Sequence, residues 1–216
     1  MANKRKKKNE NILGLMIFVI VLLLIAVGIL IIFRHPETQN KAKNFFTYPT
    51  EYEEYVIKYS AEYDIDPRYI FAVINTESHF DPQAESEVGA RGLMQIMPDA
   101  FDWIKFRLND ERDITFDDMY DPELNIQYGC YMLSYLYQDF DESYELAAGA
   151  YHQGMNAVHG WIEDGTIDPE HFSINENLDD VPSELTRDYI YKVMKAFEKY
   201  MNNSQLEEDI NNGKYE

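Results

Sequence analysis

A single cysteine and nineteen basic residues are few for a chain of 216 residues that carries thirty-nine acidic ones. Each shortage closes off a class of protein. One cysteine, Cys130, cannot form an internal disulfide framework or a Cys-rich zinc site. A formal charge of −20 leaves no Lys/Arg footprint for nucleic acid, whose phosphates must be neutralised before anything else is read. No alternating apolar–polar stretch long enough for a useful strand occurs, and no repeat of solenoid length. Disorder throughout is excluded in turn, because 45% hydrophobic and 14% aromatic residues are enough to bury a core.

The few bases are unevenly placed. Residues 1–33 hold five of them (Lys4, Arg5, Lys6, Lys7 and Lys8) against one acid, Glu10. The rest of the chain is therefore more acidic than the total suggests, at −24. Between Ile12 and Phe33 lie 22 residues without a charge. At 1.5 Å per residue they reach about 33 Å, enough to cross a hydrocarbon core of about 30 Å. The run is too long for a signal-peptide core, and Arg34-His35-Pro36 follows it where a small-residue cleavage site would be needed. The basic cluster predicts a cytoplasmic N-terminus, with the remainder outside the membrane. The expected organisation is a basic N-terminus (1–11), a transmembrane helix (12–33), a linker (34–50), a folded domain (51–202) and a polar tail (203–216) that frays. Cys130 is expected as a small buried hydrophobe.

The folded part reads as all-α. Asp66-Pro67 and Asp121-Pro122 are helix starts, with Asp as N-cap and Pro at the first helical position. The first predicts a helix to about His79, the second one to about Phe140. Further helices are expected over 51–63, about 143–153 and about 183–202. The apolar run Gly92–Met97 is expected to stop at Pro98, and residues 163–182 to form a long loop.

One of these helices carries an anomaly. Ile70, Val73, Ile74 and Glu77 fall at i, i+3, i+4 and i+7, a single face, so Glu77 extends the stripe meant for the core. Periodicity alone leaves two readings open. In one, Glu77 is half out at the helix end and paired with Arg91. In the other it is buried, its pKa rises, and it can serve as a general acid. The acid excess of the domain is expected to push the same way.

The segments that follow add to the second reading. Ile74-Asn75-Thr76-Glu77-Ser78 leads to Gly89-Ala90-Arg91-Gly92-Leu93-Met94-Gln95-Ile96-Met97-Pro98. Later come Ala150-Tyr151-His152-Gln153-Gly154 and Thr186-Arg187-Asp188-Tyr189-Ile190. In this order they resemble the lytic transglycosylases of the soluble-lytic-transglycosylase (goose-lysozyme-like) family, over about Tyr63 to Tyr200. The resemblance implies a lysozyme-like helical domain without cofactor or metal, acting on peptidoglycan glycan strands. It implies cleavage of the β-1,4 bond between N-acetylmuramic acid and N-acetylglucosamine, with closure of a 1,6-anhydro ring. It places the catalytic acid at Glu77 and substrate-binding roles at Ser78, Ser86, Met94, Gln95, Tyr151, His152 and Tyr189. Arg91 is expected to fix the loop.

Two positions break the family pattern. His152 stands where Asn is usual, and Leu185 stands where the family has Glu ahead of Thr-Arg. Three functions stay open on the sequence: a membrane-anchored lyase, a hydrolytic muramidase of the same fold, and a non-enzymatic glycan-binding scaffold in an envelope machine. Partners expected beside the glycan are the cytoplasmic membrane and cell-wall or envelope-machine proteins.

Overall fold

The computed structural model describes residues 48–211, and the basic segment and apolar run of 1–33 lie outside them. Among the described residues no helix is long and apolar enough to cross a membrane. They form eight α-helices and no strand beyond two isolated bridges. In chain order the helices are α1 (Glu53–Tyr63), α2 (Pro67–Glu77), α3 (Pro98–Leu108), α4 (Pro122–Asp139), α5 (Tyr144–Gln153), α6 (Met155–Glu163), α7 (Glu184–Met201) and α8 (Ser204–Asn211).

Helix α2 is the centre of the fold. Asp66 caps it, accepting from the Arg68 N–H at 2.8 Å, and Pro67 fills the first position, where no donor is needed. Tyr69 through Ile74 are all buried, so the helix is apolar almost all round and must lie inside. Its most extensive partner is α7, which brings Tyr189, Ile190, Val193, Ala196 and Phe197 onto the core. Helix α5 packs on α7, and α4 spans α1 and α5. Asp121 caps α4 by accepting from the Leu124 N–H at 2.9 Å. Cys130 is buried in the core, as expected of a small hydrophobe.

The structure departs from the sequence expectations at three helices and one boundary. Pro98 opens α3 instead of only ending the preceding run, since proline suits the first helical position. Asp99 in the first turn and Lys105 and Arg107 in the last oppose the helix dipole favourably, while only Phe101 and Ile104 are buried. Helix α6 follows α5 after a single break at Gly154, whose φ of 91° is open to glycine. The expected frayed tail is helical to Asn211, because Leu206 is buried and Asn203 accepts from its N–H at 3.2 Å. Finally, α2 ends at Glu77, two residues early, as His79 and Phe80 turn to φ values of 52° and 64°.

One buried side chain ties the loop between α2 and α3 to α4. Asn125, the polar residue of α4 between Leu124 and Ile126, accepts from the Met94 N–H at 2.8 Å. It also donates to the carbonyls of Arg91 at 2.9 Å and Met119 at 2.8 Å. Gly92 is required beside it: φ is 75°, and a Cβ there would meet Met119 O at 2.2 Å and Asn125 Nδ2 at 2.4 Å. Substituting Asn125→Ala leaves the Met94 N–H and the Met119 carbonyl unpaired inside, while the Arg91 carbonyl keeps its bond from the Ile96 N–H at 3.0 Å. We expect a loss of about 3 kcal/mol in chemical denaturation; a loss under about 1 kcal/mol would contradict this account of the loop.

Candidate active site

Glu77 is the last residue of α2, at the point where the most buried helix of the domain reaches the surface. The Tyr189 hydroxyl, 112 residues later on α7, donates to its Oε1 at 2.6 Å. Burial pushes the Glu77 carboxyl up to about 7, and the Tyr189 hydrogen bond pulls the other way by stabilising the anion. No cation offsets the burial. Arg91, the candidate partner on the sequence, pairs instead with Asp117 at 2.6 Å and approaches Glu85 at 3.7 Å. Its guanidinium lies over the rings of Phe116 and Tyr120, so Arg91 holds the loop as expected. Nor does any acidic neighbour contribute to the Glu77 shift; desolvation is its cause.

The other sequence-predicted residues take distinct places. Tyr151 on α5 donates to the Met94 carbonyl at 2.7 Å, and burial, with the Glu77 charge, holds its phenol well above the usual range. Tyr189 is held up by the same causes. The Met94 side chain is fully buried against Gly129, where an added Cβ would meet Sδ at 2.2 Å. Gln95, in a left-handed conformation, donates through its amide to the carbonyls of Ala84 and Gly92. Ser86 accepts from the Ala90 N–H and so closes the turn ahead of Arg91. Ser78 donates to the Ile74 carbonyl at 3.3 Å, a long bond at the end of α2.

His152 lies at the surface, its ring stacked on Tyr189 with centroids 4.7 Å apart. Its Nδ1 is 3.1 Å from the Thr186 hydroxyl, which donates to Gln153 Oε1 at 2.7 Å. Leu185, the second break in the family pattern, points to solvent at 74% exposure, while Thr186 beside it is buried. The sequence reading missed Thr186, Gln153 and Asn125. A lone polar residue on a buried helix face was the available signal for Asn125. The other two lay within quoted motifs, but nothing local pointed to their hydrogen bonds. A cavity of about 620 Å³ adjoins the network, lined by Trp103, Met132, Leu136, Gln153, Met155 and Asn156 among others. Its lining includes Gln153 but not Glu77. Among the described residues no group of three His, Cys, Asp or Glu side chains is placed to hold a metal.

An all-helical, lysozyme-like domain built around one titrating carboxyl is the class these observations define. Residues 54–169 match the transglycosylase SLT domain, and the chain belongs to that family. It is 34% identical over 157 residues to a soluble lytic murein transglycosylase of Salmonella typhimurium, across 71% of this chain. It is 30% identical to a membrane-bound lytic murein transglycosylase C of Actinobacillus pleuropneumoniae, across 70% of this chain and 46% of that one. The crystal structure of the 70 kDa soluble lytic transglycosylase of Escherichia coli superimposes with a TM-score of 0.65 at 28% identity. That match covers 71% of this chain and 24% of the Escherichia coli chain. The chain thus spans about a quarter of the soluble relatives' length; the Salmonella typhimurium match covers 23% of its relative.

Two outcomes test the Glu77–Tyr189 pair directly. A carboxyl with a raised folded pKa stabilises the fold fully below its unfolded value near 4.5, and that contribution is lost as pH rises through about 7. Glu77→Gln should therefore change stability little at pH 4 and raise it by up to about 3 kcal/mol at pH 9, read by denaturant titration. Equal effects at both pH values would refute the buried carboxyl. Tyr189→Phe removes the bond that favours the anion, so the Glu77 carboxyl should titrate at higher pH in a carbon-13 NMR titration.

Proposed function

We propose that this protein is a membrane-anchored peptidoglycan lytic transglycosylase. It cleaves the β-1,4 bond between N-acetylmuramic acid and N-acetylglucosamine and leaves 1,6-anhydromuramic ends. The observation that carries the reading is a single carboxyl raised to about 7 by burial, with Tyr189 as its partner. Ordinary glycosidases flank the bond with two carboxylates. Here the acids nearest Glu77 in sequence have other roles: Asp81 accepts from the Gln83 N–H, and Glu85 lies beside Arg91.

The reaction follows from the titration. Protonated Glu77 gives its proton to the glycosidic oxygen as the bond to the muramic anomeric carbon breaks. The substrate's own N-acetyl group stabilises the developing cation. The Glu77 carboxylate, its charge held by the Tyr189 hydroxyl, then takes the proton of the C6 hydroxyl, whose oxygen closes on the anomeric carbon. One group serves as acid and then as base, which suits a pKa near neutrality. Ser78, Ser86, Met94, Gln95, Tyr151, His152 and Tyr189 surround the glycan or position the groups that do. The loop hydrogen bonds of Gln95 and Ser86 favour a positioning role for both.

The anchor is supported by the uncharged run Ile12–Phe33 and its basic flank. Residues 48–211 would then work outside the cytoplasmic membrane, with glycan strands as substrate and the N-terminus in the cytoplasm. Digestion of purified sacculi followed by mass spectrometry tests the activity. We expect anhydro-ended products, a rate that falls as pH rises above about 7 and the acid form of Glu77 is lost, and at least a ~10²-fold loss for Glu77→Gln. Reducing ends would make the protein a muramidase, and an unaffected Glu77→Gln variant would leave only a binding role.

A further inference from the structure

His152 stands between the titrating pair and solvent, and the hydrogen bonds around it determine which of its nitrogens carries the proton. The Thr186 hydroxyl has one hydrogen to give. Gln153 Oε1 can only accept and lies 2.7 Å from Thr186 Oγ1, nearer than Ser183 Oγ at 2.9 Å. With its hydrogen directed to Gln153, Thr186 Oγ1 can only accept from the His152 Nδ1 at 3.1 Å. Nδ1 must then bear the ring proton. A neutral imidazole has one N–H, so Nε2 is left with its lone pair exposed. The ring, exposed on one side, loses part of its hydration, which lowers the pKa of His152 and favours the neutral form.

We infer that His152 is held as the Nδ1–H tautomer by Thr186 and Gln153, and that its Nε2 accepts a hydrogen bond from an N–H or O–H group of the glycan beside Glu77. The location follows from the stack. The imidazole lies on Tyr189 at 4.7 Å and 29°, and the Tyr189 hydroxyl is on Glu77 Oε1 at 2.6 Å. A donor bound at Nε2 is thereby placed next to the titrating pair. Charge steering plays no part, since an uncharged acceptor selects a neutral donor. The glycan as ligand rests on the proposed lytic activity; the tautomer does not.

Long-range proton–nitrogen NMR on the full chain reads the tautomer without substrate. We expect Nδ1 protonated and Nε2 bare, and the Nε2–H form to gain population in Gln153→Met, which frees the Thr186 hydrogen to turn toward the ring. Gln153 is exposed, so this variant leaves the core intact. A predominant Nε2–H form in the unaltered protein overturns the assignment, and no change in Gln153→Met overturns the part of Gln153 in it, leaving Ser183 Oγ as the acceptor of the Thr186 hydrogen. On soluble glycan strands prepared from sacculi, His152→Phe keeps the ring stack on Tyr189 but removes the acceptor. It should raise KM about fivefold, one neutral hydrogen bond, with a smaller change in kcat. His152→Gln, which restores an acceptor oxygen, should recover part of that loss. An unchanged KM in His152→Phe overturns the acceptor role while leaving the lytic activity standing. An unaltered protein inactive on the strands overturns the lytic reading and the ligand with it, and the spectrum still decides the tautomer.

Discussion

Everything in this domain is arranged around a carboxyl that is withdrawn from water without a counter-ion. Such a group is unfavourable by itself, and a chain tolerates it only where the surroundings are rigid enough to prevent relaxation. Helix α2 supplies that rigidity by being buried from Tyr69 to Ile74 before it delivers Glu77 at its end. Helix α7 supplies the rest: the same face that packs on α2 carries Tyr189 to the carboxyl oxygen. Core packing and site geometry are therefore one set of contacts, and the phase of two helices determines both.

The loop between α2 and α3 is the second wall, and it is built by backbone capture. Asn125 takes the Met94 N–H while Tyr151 takes the Met94 carbonyl, so two helices grip one peptide position from opposite ends. Gly92 and Gln95 accept left-handed backbone to make this fit. The Gln95 amide then turns inward to the Ala84 and Gly92 carbonyls. This explains why so many polar side chains of the loop have protein partners: an irregular segment beside a buried acid must satisfy its own backbone groups.

How much of this was readable in advance divides along physical lines. Helix α2, its Asp66 cap and the inward phase of Glu77 were legible because capping and periodicity are local. The start of α4 at Asp121 was legible for the same reason. Helix α3 was not, since Pro98 signals both an end and a beginning, and only tertiary burial of Phe101 and Ile104 chooses between them. Helix α8 has one buried anchor, Leu206, too little for a periodic signal. The Tyr189 hydrogen bond joins residues 112 positions apart, and no rule of spacing connects them. Family resemblance identified Tyr189, but its partner atom is visible only in three dimensions. Thr186 and Gln153 lay inside or beside quoted motifs, and their roles come from a chain of hydroxyl, amide and imidazole that sequence order does not display.

The acid excess calls for a different account from the one the sequence suggests. An acidic domain was expected to help keep Glu77 protonated, yet desolvation raises its pKa and no carboxylate neighbour adds to it. The reason lies in where the charges sit. Glu85, Asp117, Asp168 and Glu198 are exposed or paired with Arg, His or Lys, and water and salt screen such groups over about 10 Å. A charge at the surface acts on a buried group through high dielectric, whereas removal of the hydration shell acts on it at contact. Burial of a single side chain therefore outweighs a surplus of like charge across the domain.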